Sequence, residues 1–360
     1  MKIVITLCMT VLLFSTGCTH HEHKKTEKTK LVITSPVRKD TVIYKEYVCQ
    51  IHSAQHIELR ALEKGYLQSI YVDEGQHIKQ GQLMFQIMPS VYRAEMEKAG
   101  AEVKFAEIEY ANTKALADSN IVSQNELAMS LAHLNKARAE LALAKAHLGF
   151  TEVRAPFDGI MDRLHVRKGS LVDEGELLTT LSDNSKMWVY FNVPETEYLD
   201  YITKEKHDQA THVKLVLANH QLFSTDGIVE TIQADFNHET GNIAFRATFP
   251  NPKGILRHGE TGNVLMPVPL DDAVIIPQKA TFEILDKKYV FVVDENNVVK
   301  SKEITIKAEV PHLYIVGMGL TERDKIVVEG LRKVKNNDRI ESDFVDQNTI
   351  LAGLNRLHAE

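Results

Sequence analysis

The sequence predicts a mainly β, elongated protein of several domains, into which an α-helical coiled-coil hairpin is inserted. Two observations carry this prediction. A glycine-rich stretch at residues 65–81 recurs 94 residues further on, at residues 159–175. Between the copies, residues 90–149 contain no proline and are rich in Ala, Glu, Lys and Leu, which favour helices. We therefore expect a β-sandwich built from two similar halves, with a hairpin of two helices between them.

The glycines of the two copies occupy equivalent positions. The stretches read GYLQSIYVDEGQHIKQG and GIMDRLHVRKGSLVDEG. The matching glycines are Gly65 and Gly159, Gly75 and Gly169, and Gly81 and Gly175; the matching apolar residues are Ile70 and Leu164, Val72 and Val166, Ile78 and Val172, and Leu83 and Leu177. Glycine marks backbone that other residues rarely adopt, so the shared spacing indicates duplicated strands and tight turns. We interpret the six glycines as structural.

Two helices are predicted between the copies. The first covers residues 90–118, with a proposed seam of Ala94, Ala101, Phe105, Ile108 and Ala115; the second covers residues 123–148, with a seam of Leu127, Leu131, Leu134, Leu141 and Leu148. Steps of three and four residues are typical of a coiled coil. Ser123 followed by Glu126 predicts a capping box at the start of the second helix. The short join between the helices makes them antiparallel, so their outer ends lie together in the sandwich.

The first residues describe an export signal. Two residues, Met1 and Lys2, precede an apolar run over residues 3–14 and the small-residue stretch STGC, which ends at Cys18. The run is too short to span a bilayer comfortably. The stretch resembles the lipobox of bacterial lipoproteins, although Ser15 stands where leucine is usual. On that resemblance, residues 1–17 are the signal peptide and Cys18 is lipidated; the alternative is an ordinary signal peptide with a coincidental cysteine.

Residues 18–30 are interpreted as the lipidated tether. Their composition is almost entirely polar, as in a solvated spacer. The histidines at 20, 21 and 23 leave metal binding open, but no second cluster of metal-ligating residues follows. We therefore favour a polar spacer.

Composition excludes several classes of function. A net charge of −7 and a pI near 6.2 give no basic field for nucleic acid. The sequence contains no H-E-x-x-H, C-x-x-C or G-x-S-x-G motif, so we expect no enzyme activity, no cofactor and no metal centre. A lipoyl or biotinyl carrier would present a lysine where the two halves join, but the hairpin stands there, and Lys79 and Lys168 fall in interior loops.

Six stretches, taken in order with the split sandwich, resemble one family. They are TEVRAPFDGI at 151–160, MWVYFNVPETEYL at 187–199, LRHGETGNVLM at 256–266, VIIPQKAT at 274–281, YVFVVDENNVV at 289–299 and DKIVVEGLRKVKNND at 324–338. The chain is similar, from about residue 31 onward, to the periplasmic adaptor subunits, or membrane fusion proteins, of resistance-nodulation-division (RND) efflux pumps.

This resemblance implies a division into domains. The expected parts are a membrane-proximal β domain at 31–39 and 270–342, a β-barrel at 40–57 and 182–269, a split lipoyl-like β-sandwich at 58–88 and 150–181, the α-helical hairpin at 89–149, and a C-terminal tail at 343–360 with a short helix in TILAGLNRL.

The resemblance also implies partners and a place in the cell. The chain would be a non-enzymatic linker in the periplasm, lipid-anchored to the inner membrane, joining an inner-membrane efflux transporter to an outer-membrane channel. Such adaptors form homo-oligomeric rings, typically hexamers, and support the export of small molecules such as drugs. An adaptor of an ABC-type exporter and a heavy-metal efflux adaptor are the alternatives, although the methionines here are dispersed.

The family contacts its channel through the hairpin tip. The pattern there is an arginine, a leucine four residues on and a serine seven residues after that. Leu116 and Ser123 fit, but the arginine position holds Asn112. Asparagine cannot supply the bidentate, permanently charged group of arginine. Either the channel differs to match, or the contact uses Lys114 or Gln124.

Overall fold

The computed structural model describes residues 30–203 and 210–354. The predicted signal peptide, Cys18 and the histidines of the tether lie outside the described residues. Within them the protein is mostly β with few helices, and the predicted mainly β fold class with an inserted helical hairpin is confirmed.

Nineteen strands and four α-helices make up the described residues. The strands are β1 (Leu31–Thr34), β2 (Val37–Arg60), β3 (Gly65–Ile70), β4 (His77–Ile78), β5 (Leu83–Ile87), β6 (Glu152–Arg154), β7 (Gly159–Met161), β8 (Leu171–Val172), β9 (Leu177–Pro194), β10 (His212–Leu217), β11 (Gly227–Ile232), β12 (Asn242–Pro250), β13 (Thr261–Pro277), β14 (Thr281–Ile284), β15 (Lys287–Val293), β16 (Val299–Val310), β17 (Leu313–Met318), β18 (Ile326–Val327) and β19 (Ser342–Phe344). The helices are α1 (Ser90–Asp118), α2 (Gln124–Phe150), α3 (Glu195–Thr203) and α4 (Gln347–Leu354), with short 3-10 turns at Gln278–Ala280 and Leu331–Lys333.

The chain divides into two compact units. One contains the described residues before Tyr44 and those from Pro269 onward, and the other is Tyr44–Val268. In the first unit β1 lies between β18, which is antiparallel to it, and β19, which is parallel. α4 contributes Ile350 to the apolar core of this unit, so the short helix predicted in the tail is present.

In the second unit, six strands close a barrel. The order is β2, β9, β12, β11, β10 and β13, and β13 pairs with β2 again. Alternate side chains of these strands point inward, as the period of a strand requires. The buried centre contains Phe191, Phe245 and Phe249, and α3 packs Tyr198 and Tyr201 against it. Closure leaves these strands without free edges.

The β-sandwich next to the barrel is made of two sheets. One has the order β6, β5, β3, β8; the other is formed by β4, β7 and the ends of β9 and β2. Each sheet takes strands from both copies of the repeat. Its core is a separate cluster of large apolar side chains, including Met84, Phe85 and Leu181.

The hairpin bounds agree with the prediction, but the seam assigned to the first helix is wrong. Its members Ala94, Ala101, Phe105, Ile108 and Ala115 are all exposed. The residues that face α2 are Met96, Ala99, Val103, Ala106, Tyr110, Thr113 and Ala117, and those of α2 that face α1 are Leu127, Ser130, Leu134, Ala137, Leu141, Ala144 and Leu148. Both sets follow steps of three and four. Small side chains let the helices approach closely, so the large Phe105 and Ile108 lie outside. Of the seam predicted for the second helix, Leu131 is also exposed.

Candidate partner-binding surfaces

The turn glycines of the repeat tie the two halves of the sandwich to each other. The N–H of Gly75 donates to the carbonyl of Met161, and the equivalent N–H of Gly169 donates to that of Leu67, both at 2.8–2.9 Å. Gly75 has φ 76° and Gly169 φ 91°, a left-handed conformation that favours glycine. Gly81 and Gly175 repeat the arrangement one turn later, donating to Ala155 and Ala61.

The first glycine of each copy stands where the backbone is crowded. A Cβ at Gly159 would lie 2.7 Å from the carbonyl oxygen of Ser182, and a Cβ at Gly65 would lie 2.9 Å from a methyl of Ile87. The strands they begin pair in the same way in both halves: Gly65 lies opposite Val172, and Gly159 opposite Ile78. The spacing seen in the sequence therefore corresponds to a shared fold of the backbone.

The tip of the hairpin is held by its own capping groups. α1 ends before Asn120, which has φ 56°, and the next N–H, of Ile121, donates to the carbonyl of Leu116 at 2.9 Å. Ser123 caps α2: its Oγ accepts the N–H of Glu126 at 3.1 Å, which is one half of the predicted capping box. These bonds fix the turn, so side chains at the tip are presented by a defined backbone.

The three residues predicted to contact a channel are accessible at this end of the hairpin. Asn112 and Ser123 are exposed, and 41% of Leu116 is accessible. Sequence reasoning missed Ile121, which is 69% exposed in the turn between the helices. An apolar residue in a mostly polar join was the signal that could have identified it. The alternatives Lys114 and Gln124 are also exposed.

The outward face of α1 carries the residues that the seam excludes. Phe105 is 61% exposed and Ile108 is 63% exposed, and Asn112 lies one turn further along. The outward face of α2 carries the alanines 132, 139 and 146, and Met129 and Leu143 beside them are 67% and 60% exposed. Both helices therefore present bulky apolar side chains to solvent, and α2 adds a stripe of small ones.

The root of the hairpin is fastened to the sandwich by polar contacts. His147 Nδ1 lies 2.5 Å from Glu63 Oε1, and the hydroxyl of Tyr92 donates to the carbonyl of Lys64 at 2.8 Å. Burial, and then the nearby Glu63 carboxylate, raise the pKa of Tyr92 above its usual value. The phenol stays protonated and keeps its donor, so both contacts hold the direction in which the hairpin leaves the sandwich.

Two features of residues 30–203 and 210–354 bear on other kinds of site. No group of three or more His, Cys, Asp or Glu side chains in these ranges is arranged to hold a metal ion. No helix there is both long and apolar enough to cross a membrane. Cys49 is buried in the barrel, and burial raises the pKa of its thiol to about 12, so this thiol is unreactive.

Three domain models of one family match consecutive parts of the chain. "RND MFP, barrel-sandwich hybrid domain" matches residues 55–184, "RND MFPs, beta-barrel domain" matches residues 186–270, and "RND MFPs, C-terminal permuted SH3 domain" matches residues 272–333.

Curated relatives and a solved structure agree with these matches. The efflux pump periplasmic linker BepD of Brucella suis biovar 1 is 27% identical over 82% of this chain and 80% of its own length. The toluene efflux pump periplasmic linker protein TtgD of Pseudomonas putida is 27% identical over 78% of this chain and 76% of its own. A MacA–MexA chimeric protein containing the Pseudomonas aeruginosa MexA α-hairpin domain has the same fold, with a TM-score of 0.63 and 21% identity over 82% of this chain and 99% of that one. Because all three domain models match the chain one after another, the chain belongs to the membrane fusion proteins of RND efflux pumps.

Proposed function

We propose that this chain is the periplasmic adaptor of a tripartite efflux pump. It links an inner-membrane RND transporter to an outer-membrane channel and supports the export of small molecules such as drugs or solvents. The names of its relatives, efflux pump periplasmic linker and toluene efflux pump periplasmic linker protein, support this role. The adaptor works by assembly and conformational coupling, without bond chemistry. All three matching models are of RND type, which disfavours an ABC-type exporter. The relatives' names mention toluene and no metal, which gives no support to a heavy-metal adaptor.

The observation that carries the proposal is the exposed apolar surface of the hairpin. Leu116 and Ile121 at the tip, and Phe105 and Ile108 along α1, are accessible on a pair of helices that buries little of its own. Contiguous exposed apolar residues mark interaction sites in soluble proteins. A hairpin that lacks partners would gain nothing from these side chains.

The tip is proposed as the contact with the channel, through Asn112, Leu116 and Ser123. We expect Leu116→Glu to abolish export, because a carboxylate would be desolvated against the channel without a partner. The measurement is drug susceptibility of cells that carry the variant as their sole adaptor. Far-UV circular dichroism and co-purification with the transporter should both be unchanged.

A matched control makes this test specific. Leu285 is 91% exposed in a turn outside the hairpin, so Leu285→Glu makes the same chemical change elsewhere. It should leave susceptibility as in the wild type. Wild-type export by the Leu116→Glu variant would contradict the tip contact.

A ring of identical subunits, with six as the expected number, is proposed from the two faces of the hairpin. In this proposal the bulky Phe105 and Ile108 on α1 of one copy pack on the alanine stripe of α2 in the next, where the exposed Met129 and Leu143 add apolar surface. Such head-to-tail contacts close into rings when the rotation permits. Chemical cross-linking in cells should give a ladder ending at the ring size, and Phe105→Lys should shorten it.

The lipid anchor at Cys18, in the inner membrane, is part of the same proposal. Several acyl chains on one residue hold a protein stably at a membrane. We expect Cys18→Ser to leave the adaptor in the soluble periplasmic fraction of cells that lack the transporter and the channel. If this variant still sediments with membranes in such cells, the lipoprotein assignment is wrong.

A further inference from the structure

Three histidines meet where the β-sandwich joins the barrel. Strands β2 and β9 run through both parts, and their pairing is irregular at the junction: Ser53 lies opposite Met187, but Gln55 lies opposite Asp183. β9 therefore has more residues than β2 at this point. Such a bulge bends a strand and interrupts its ladder of hydrogen bonds. Because the ladder is interrupted here, side-chain contacts around the bulge must help to stabilise the junction between the sandwich and the barrel.

The three imidazoles come from both sides of this bulge. His52 lies on the barrel side of β2, His56 lies on the sandwich side, and His258 lies in the loop between β12 and β13. The ring of His258 stacks on that of His56, with 3.8 Å between centroids and 11° between planes. It also meets the ring of His52 edge-on, at 5.0 Å. His258 thus bridges the two parts of the unit. We call the three side chains the histidine clasp.

Hydrogen bonds select the neutral form of His258. The N–H of Ser53 donates to its Nδ1 at 3.2 Å. A ring nitrogen that accepts a hydrogen bond carries no proton, so a proton on Nδ1 would break this bond. The loop itself is held by backbone bonds of 2.8 Å between Ile51 and residues 259 and 260. His56 Nδ1 lies 2.8 Å from Ser182 Oγ and anchors the clasp to β9.

The surroundings of His258 oppose a positive charge. Burial, followed by the nearby His56 and His52, holds the pKa of His258 below its ordinary value. Tyr190 packs edge-on against His52, with 5.6 Å between ring centroids. The rings in contact with His258 are those of His52 and His56 from β2. The charged groups of the same region are Asp183 of β9, opposite Gln55 at the bulge, and Arg257 and Glu260 of the loop itself.

We propose that the histidine clasp is a pH-sensitive latch, which holds the sandwich to the barrel at neutral pH and releases it on mild acidification. Protonation removes the bond from Ser53 and places positive charge against the stacked ring of His56. The loop then lifts, and the junction at the bulge bends more easily. This inference does not depend on the adaptor function, because it concerns only contacts within Tyr44–Val268.

The direction of the pH dependence follows from the lowered pKa. The closed junction binds fewer protons at His258 than the open one, so acid favours opening. The stabilisation is complete above the ordinary histidine pKa of about 6.5 and is lost as the pH falls from there towards the lowered pKa. Within that window, one proton taken up on opening changes the opening equilibrium about ten-fold per pH unit.

Hydrogen exchange of the full-length protein between pH 7.5 and 5.5 tests the latch. After correction for the chemical exchange rate, we expect protection in residues 51–56 and 254–260 to fall, by up to about ten-fold per pH unit. His258→Gln keeps an acceptor for the N–H of Ser53 but does not titrate, so its protection should be flat. His238→Gln, a change at an exposed histidine outside the clasp, should behave as the wild type.

Two results would overturn the latch. One is wild-type protection in these segments that does not change with pH; the other is an equal fall in His258→Gln. If His258→Gln fails to fold, His56→Gln serves instead. It removes a neighbouring charge that lowers the pKa of His258, so the pKa in the closed junction rises towards its ordinary value and the total loss of protection on acidification should be smaller. A loss in His56→Gln as large as in the wild type also contradicts the proposal.

Discussion

The β-sandwich buries a core of large side chains, whereas the hairpin inserted into it is packed mainly through small ones. Met84, Phe85 and Leu181 fill the sandwich, and the buried cluster of the hairpin consists of Val103, Ala106, Leu134 and Ala137. The sandwich is stabilised by its own buried apolar core. The hairpin also leaves several large apolar residues outside, among them Phe105 and Ile108, so it is only partly self-sufficient, as expected of an element that is completed by partners.

We expect the largest effect at Leu134, the largest side chain in the buried cluster of the hairpin. Leu134→Ala should lower the free energy of unfolding of the hairpin by about 2–5 kcal/mol, because it leaves a cavity in a thin seam. Hydrogen exchange of residues 90–150 measures the change. Phe105→Ala removes more atoms but from an exposed position, so we expect less than about 0.5 kcal/mol. Equal losses in the isolated subunit would mean that the seam assignment is wrong.

A smaller effect is expected where the sandwich backbone is crowded. Gly159→Ala places a methyl 2.7 Å from the Ser182 carbonyl oxygen and should cost about 1–3 kcal/mol in a thermal or denaturant melt. Gly149→Ala is its matched control in the hairpin. Nothing lies within 4 Å of that Cβ, so this change should be neutral or stabilising by about 0.4–1 kcal/mol. A Gly159→Ala variant as stable as the wild type would refute the close approach of Gly159 to the Ser182 carbonyl oxygen.

The smallest expected effect is at the cap of α2. Ser123→Ala leaves the N–H of Glu126 without its side-chain acceptor and should cost about 0.5–2 kcal/mol in the stability of the hairpin. Ser123→Asp restores an acceptor and should recover most of the helicity at 222 nm. Equal helicity loss in both variants would show that Ser123 acts in another way.

Local signals made the sandwich and the helix bounds predictable. Glycine spacing reports turns directly, and residues 90–118 coincide with α1 (Ser90–Asp118) because propensity and the flanking Pro89 are local properties. The face of α1 was not predictable in the same way. Phe105 and Ile108 are residue types that usually lie in a core. The seam of α1 instead contains mostly Ala, Val and Thr, with Met96 and Tyr110, and the burial of these residues depends on how closely α2 approaches.

The histidine clasp was beyond sequence reasoning for a different reason. His258 is distant in the chain from His52 and His56, and only closure of the barrel brings the rings together. No spacing in the sequence reports a contact of this kind. The contact of Asn112 with a channel also stays a prediction, since it concerns another molecule.

The exchange of bonds between the two halves has a consequence for how the chain folds. Because Gly75 donates to Met161 and Gly169 to Leu67, neither half can complete its turns alone. Strands β5 and β6 are separated by the whole hairpin, and closing so long a loop is slow when it is a flexible coil. Helices form quickly from local contacts, so a hairpin that forms first brings the two strands to within a turn of each other. We expect pulse-labelled refolding to protect α1 and α2 before β5 and β6; the reverse order would exclude the hairpin as the starting point of assembly.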